Sequence, residues 1–215
     1  MKNPFLAAIG AAGLSLACGI APGEARPVSY PGGVTVMQRN TGDFSSLHVH
    51  YSPTFRSSVG LYAERNWDED VQFAGLQANR LLKRWNAPKS QGNLYLKLGA
   101  GAADPFGEDG ARRAGFVEIA ADWETRRWFT SYEVRASDFG GDASVRQWAR
   151  IGVAPYVGEY GDLHTWAMVQ LQHAPEAGEP VTATPLLRFF YGVQLMEVGY
   201  TPQTEEFLFN YVIRF

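Results

Sequence analysis

Phe207-Leu208-Phe209-Asn210-Tyr211-Val212-Ile213-Arg214-Phe215 closes the 215-residue sequence. Every second residue from Phe207 is large and apolar: Phe207, Phe209, Tyr211, Ile213, Phe215. A strand turns successive side chains to opposite faces. This segment therefore has one unbroken greasy face, largely aromatic, and one face that carries Asn210 and Arg214. Such a strand at the end of a chain points to a barrel that crosses a membrane.

The rest of the composition agrees with a strand-built membrane protein better than with a helical one. Apolar residues make up 46% of the chain, and mean hydropathy is −0.20. The longest apolar stretch, from Pro4 to Ala17, is too short for a helix spanning about 30 Å of hydrocarbon. With Lys2 before it, the stretch fits the apolar region of a secretory signal peptide. Gly23-Glu24-Ala25 ahead of Arg26 offers a cleavage site, so residues 1–25 are read as leader and 26–215 as one barrel domain. Ser15-Leu16-Ala17 ahead of Cys18 is the alternative, with a lipidated Cys18. Beyond Cys18 the chain has no cysteine, which removes disulfides, thiolate metal sites and cysteine nucleophiles. A net charge of −3 argues against nucleic acid as a partner.

Short alternating runs separated by Gly and Pro continue along the whole body. Twelve strands are expected, at 33–40, 46–53, 57–65, 71–82, 92–102, 114–124, 127–136, 145–156, 163–173, 183–190, 193–200 and 206–215. Most approach the roughly nine to eleven residues that a tilted membrane strand needs. Leu94, Leu96 and Leu98 share a face, as do Val117, Ile119 and Trp123, while Glu118 and Asp122 lie opposite. Trp67, Trp85, Trp123, Trp128, Tyr156 and Tyr200 stand at strand ends, where an interfacial girdle is required. A soluble β fold alternates too, but it would have to bury an apolar face from nearly every strand. Leu76 to Trp85 (LQANRLLKRW) is also compatible with a short amphipathic helix; a helix there would reduce the count to ten or eight strands or plug the interior.

Twelve strands with a periplasmic amino end place connections 41–45, 66–70, 103–113, 137–144, 174–182 and 201–205 on the outside. They carry Asp43, Asp68, Glu69, Asp70, Asp104, Glu108, Asp109, Asp138, Asp142, Glu176, Glu179 and Glu205. The opposite connections carry Arg56, Lys83, Arg84, Lys89 and Arg126, with Glu159 and Asp162 their acidic members. Both termini are then periplasmic, and the acidic outer loops are candidates for divalent cations shared with surface lipid.

The terminal strand resembles the signal that bacterial outer-membrane barrels present to the barrel assembly machinery: Phe215 last, preceded by Ile213, Tyr211 and Phe209 at alternate positions. That resemblance implies a Gram-negative outer membrane, its lipid as surroundings and the assembly machinery as partner. Leu47-His48-Val49-His50-Tyr51-Ser52-Pro53, Leu81-Leu82-Lys83-Arg84-Trp85-Asn86 and Gln91-Gly92-Asn93-Leu94-Tyr95-Leu96-Lys97 resemble an uncharacterised family of small exported proteobacterial proteins found among heavy-metal handling genes. That second likeness implies no activity.

Strand parity assigns the candidate site residues. Lys97, Glu118, Asp122, Glu133, Arg135, Arg146, Arg150, Arg188, Glu197 and Arg214 fall on polar faces and are expected to line the lumen. There they either set ion selectivity as rings of charge or pair and close the interior. His48 and His50, two apart on one strand, point to one side. They are candidates for a shared transition metal, with His164 or Met168 as further ligands. No cofactor is expected. Ser131, Ser144, His164 and His173 are present, but there is no Gly-x-Ser-x-Gly and no His-Glu-x-x-His, so the expectation is that the protein is not an enzyme. The sequence thus reads as an all-β, closed, antiparallel, up-and-down transmembrane barrel of about twelve strands, with eight and ten left open. Its expected role is a small passive channel for ions or small polar solutes, and the alternative is a non-conducting structural or envelope-stress barrel, possibly linked to metal resistance.

Overall fold

Alternation at period two is what builds this molecule, and a computed structural model gives its arrangement. The structure describes residues 30–67, 69–105, 110–139, 143–159, 161–175, 178 and 180–215. The leader, Cys18 and the loop acids Asp68, Glu108, Asp109, Asp142, Glu176 and Glu179 lie outside the described residues. Twelve strands follow in order: β1 Val34–Asn40, β2 Phe44–Thr54, β3 Ser57–Asn66, β4 Val71–Ala87, β5 Ser90–Pro105, β6 Arg112–Thr125, β7 Trp128–Asp138, β8 Ser144–Val153, β9 His164–His173, β10 Thr182–Tyr191, β11 Gln194–Thr201 and β12 Glu206–Arg214. Each pairs antiparallel with its neighbours in sequence, and β1 closes the ring on β12. The seam runs from Thr35↔Arg214 to Asn40↔Phe209. The count is twelve, which removes the eight- and ten-strand alternatives.

The largest departure from the sequence reading is β4. Residues 83–91 were expected as a connection, yet β4 continues to Ala87 and the turn shrinks to residues 88–89. LQANRLLKRW is strand throughout, and a register shift between Leu81 and Lys83 interrupts it. Leu81 faces inside by the same parity as Phe73 and Gln77, 3% exposed, and the shift after it reverses the parity, so that Arg84 turns inward while Lys83 and Trp85 stay exposed. A bulge of this kind breaks the period of two and makes a strand look helical in sequence. Lys83 and Arg84 are therefore strand residues, and Arg84 donates from Nε to Asn93 Oδ1 at 2.8 Å.

Outside, apolar side chains form continuous rows around the ring. One row joins Ile213, Val36, Val49, Leu61, Leu76 and Ala100 across six strands. Another joins Phe209, Val198, Leu187, Ala167, Val153 and Trp128. Leu61, in the middle of its strand, is 68% exposed. Trp85, Trp123, Trp128 and Tyr156 are exposed toward the rim that holds Phe215, and Trp67 and Tyr200 toward the opposite rim. At the Phe215 rim the two ends of the seam hold each other. Val34 donates its N–H to the Phe215 carbonyl at 3.1 Å, and Phe215 donates to the Val34 carbonyl at 2.8 Å.

Candidate functional site: a bridged lumen

The inward faces carry two kinds of side chain, and both reach across the barrel. Toward the rim opposite Phe215, Tyr62, Phe73, Phe116 and Phe139 form an aromatic cluster with Val71 and Ala103. Phe139 follows β7 and turns inward to stack on Phe73, with ring centroids 4.9 Å apart. Gly99 of β5 makes room for this packing, because a Cβ there would lie 2.1 Å from the Phe116 ring. Beside it, Phe44 of β2 meets Trp148 of β8 edge-on at 6.2 Å.

Below these rings lies a charged layer built on β1, β3, β5, β6 and β7. Arg135 donates to Glu64 at 2.8 Å, to Glu118 at 2.7 Å and to the Tyr62 hydroxyl at 3.0 Å. Its guanidinium lies 4.3 Å from the Phe116 centroid, a cation–π contact in a dry setting. Tyr62 donates to Glu64, and Lys97 donates to Glu118. Lys97 also reaches Glu133 at 3.5 Å, and Arg39 meets Glu133 at 3.7 Å. Three cations thus face three carboxylates. Glu118 is wholly buried and Arg135 is 5% exposed. Charges taken that far from water are tolerable only with partners of this kind.

A second cluster joins β8, β10, β11 and β12. Glu197, 2% exposed, accepts from Arg150 at 3.2 Å, from Arg188 at 2.7 Å and from Asn210 at 2.7 Å. Arg150 also donates to Gln170 at 2.8 Å, and Arg188 lies 4.6 Å over the Phe129 ring. Asp122 accepts from Asn93 at 2.7 Å. The first cluster sets three cations, Arg39, Lys97 and Arg135, against three carboxylates, and the second sets Arg150 and Arg188 against Glu197. Arg146 points inward nearer the aromatic rim and donates to Glu69 of the β3–β4 connection at 3.2 Å. Arg214 stands next to Thr35 across the seam, close to the Phe215 rim.

The span of these contacts matters more than their number. β1 and β7 lie six strands apart around a ring of twelve, as do β2 and β8, so Arg39–Glu133 and Phe44–Trp148 join opposite walls. A circular ring of twelve strands about 4.8 Å apart and tilted by roughly 40° is more than about 20 Å across. Two aromatic side chains in contact span less than that, so the barrel is drawn in along this axis.

Parity put the ten expected lumen residues on inward faces but did not say which would meet. The structure brings Lys97, Glu118, Glu133 and Arg135 together in one cluster, and Arg150, Arg188 and Glu197 in another. It keeps Asp122, Arg146 and Arg214 apart from both. Sequence reasoning missed Arg39, Tyr62 and Glu64, the partners that make the first cluster span the barrel. His48 and His50 lie side by side, with Nδ1 atoms 3.3 Å apart. The further ligands expected for them are elsewhere: Met168 packs with Leu186 and Leu208, and the His164 ring lies against Phe190. Ser144 shares a hydrogen bond with Ser137 at 3.0 Å.

These features define a closed twelve-strand barrel, apolar outside and charged inside. No protein-family model matches the chain, and no curated protein matches it. Two solved structures are similar in outline. One comes from work titled "Unveiling the Mechanism Behind the in-meso Crystallization of Membrane Proteins"; it is 11% identical, with 85% of this chain and 83% of that chain covered and a TM-score of 0.45. The other is a loop-deletion mutant of OmpT, an outer membrane protein of Vibrio cholerae; it is 8% identical, with 86% and 97% covered and a TM-score of 0.28. At those scores the architecture rests on this chain's own strand pairing.

Proposed function

We propose that this protein is a bacterial outer-membrane barrel whose lumen is sealed, so that it serves as a non-conducting envelope component and not as a standing channel. The observation that carries the reading is the pair of contacts between opposite walls, Arg39–Glu133 and Phe44–Trp148. A passive channel needs a continuous wet path, and charged rings that select ions keep their charges facing water. Here the charged side chains are turned on one another and not toward an open path. No catalytic role enters this reading.

The membrane part of the reading rests on the outer surface. Apolar rows around the ring, flanked by exposed aromatics, match what a barrel presents to lipid. An arginine at Leu61 should then cost about 2–4 kcal/mol, the penalty for that side chain near a bilayer midplane. Unfolding from lipid vesicles measures it, and a cost near zero would place Leu61 in water. The Phe215 rim is assigned to the periplasm, with the terminal Phe as the assembly machinery's signal. The opposite rim, with Asp43, Asp70, Asp104, Asp138 and Glu205, is assigned to the cell surface, where divalent cations would bridge it to lipid phosphates. A label at the exposed Gly110 should react on intact cells, and protection there would reverse the orientation.

Planar-bilayer recording tests the sealed lumen. Folded protein, identified by its altered gel mobility before heating, should give no steps at high load. Regular stepwise openings from the unaltered protein would restore the channel reading.

A further inference from the structure

His48 and His50 of β2 are buried, 5% and 3% exposed, and both face the interior. Their Nδ1 atoms are 3.3 Å apart. Two nitrogens bound at 2.0–2.1 Å to one metal at a tetrahedral to trigonal angle stand about 3.3–3.6 Å apart. The rings are thus spaced as two ligands of one ion. Gly60 of β3 makes the arrangement possible, because a Cβ there would come within 2.6 Å of His50 Cβ.

The surroundings of the pair lack the partners that buried polar atoms normally have. His48 Nε2, Thr35 Oγ1 and Ser52 Oγ make no hydrogen bond, although Thr35 is 2% exposed and Ser52 fully buried. Thr35 is the cross-strand neighbour of His50, and Ser52 follows His50 on the same face. Met37 of β1 is the cross-strand neighbour of His48 and faces the same way. No group of three His, Cys, Asp or Glu residues that could hold a metal exists among the described residues. The β1–β2 register adds one further donor type on this face, the Met37 thioether.

We propose that His48, His50 and Met37 form a site for one soft monovalent d10 cation, of the kind represented by Cu(I) and Ag(I). Two imidazoles and a thioether are the donors such an ion prefers. All three ligands are neutral, which suits a single positive charge better than a double one in an interior where Lys97 and Arg135 face His48 and Arg214 faces His50. Thr35 and Ser52 lie on the Phe215 side of the pair. The site is independent of whether the lumen conducts.

The probes are Ag(I), and Cu(I) held by a competing chelator, added to the folded full-length protein in detergent. The expected result is one ion per chain. X-ray absorption should show two nitrogen scatterers near 2.0 Å and one sulfur near 2.3 Å. Met37→Leu should remove the sulfur shell and weaken binding about 10–100-fold, while Met168→Leu leaves both unchanged. His48→Gln/His50→Gln should abolish stoichiometric binding, with folding checked by gel mobility before heating. Should that double variant not fold, the sulfur shell and its loss in Met37→Leu decide the matter. No binding by the wild type, a spectrum without sulfur, or zinc bound more tightly than Cu(I) would overturn the proposal, and in the first case water is the missing partner.

Discussion

Glu118→Ala should cost about 3–5 kcal/mol, the range for removing one partner of a buried ion pair. Glu118 is wholly buried and is the shared acceptor of Lys97 and Arg135. Its loss leaves two cations facing each other with one carboxylate fewer between them. Arg135 keeps Glu64 and Lys97 keeps Glu133, so the damage falls on the balance of charge. A double change, Glu118→Ala with Lys97→Met, should therefore recover much of the loss. The readout is the urea midpoint at which the folded, fast-migrating form disappears from unheated gels. A single variant as stable as the wild type would mean that the cluster is well hydrated and that the lumen is not sealed at this level.

Arg39→Ala/Trp148→Ala should turn a silent barrel into a conducting one. Arg39 lies against Glu133, and its guanidinium lies 5.5 Å from the Phe44 centroid and 5.3 Å from the Trp148 ring. Together Arg39 and Trp148 hold the Arg39–Glu133 and Phe44–Trp148 contacts, while Arg146 over Phe44 at 5.9 Å and Arg135 on Glu64 remain. Truncating both removes two of the links between opposite walls without touching a backbone hydrogen bond. The change takes one positive charge out of the lumen, which shifts the opened path toward cations. Trp148→Ala alone should have the smaller effect, because Arg39 still reaches Glu133. Recordings that stay silent for the double variant, in protein shown to be folded, would mean that the remaining clusters suffice to close the lumen.

Much of this architecture is legible because a barrel with an apolar outer face and a charged lumen writes its pattern twice, once for each face. All twelve strands emerge from alternation, and parity puts Glu118, Arg135 and Glu197 inside before any partner is known. Legibility fails where parity is silent. In Gln38-Arg39-Asn40 and Glu64-Arg65-Asn66, polar residues follow one another directly, so neither face declares itself, and the inward Arg39 and Glu64 were overlooked. Phe139 enters the lumen from a connection, where no period applies. Parity also gives the face but not the place around the ring. His164 and Met168 do point inward, yet they sit on β9, and His48 and His50 on β2. The neighbour that matters, Met37, is set by the pairing of β1 with β2.

The cross-barrel contacts also have a consequence in time. Arg135 and Glu64 are 71 residues apart in the chain, and they lie on strands that do not pair. Neither hairpin formation nor growth of a flat sheet can bring them together; curling of the five strands from β3 to β7 does so. Until then the charged side chains remain hydrated on an open face, and their dehydration and their mutual pairing arrive together as the sheet curls toward the closure of β1 on β12. Contacts so distant along the chain slow folding, but they also make the last step cooperative. A half-closed ring would carry the penalty of partial dehydration without the compensating partners, so the joint between Val34 and Phe215 either stands open or shuts completely.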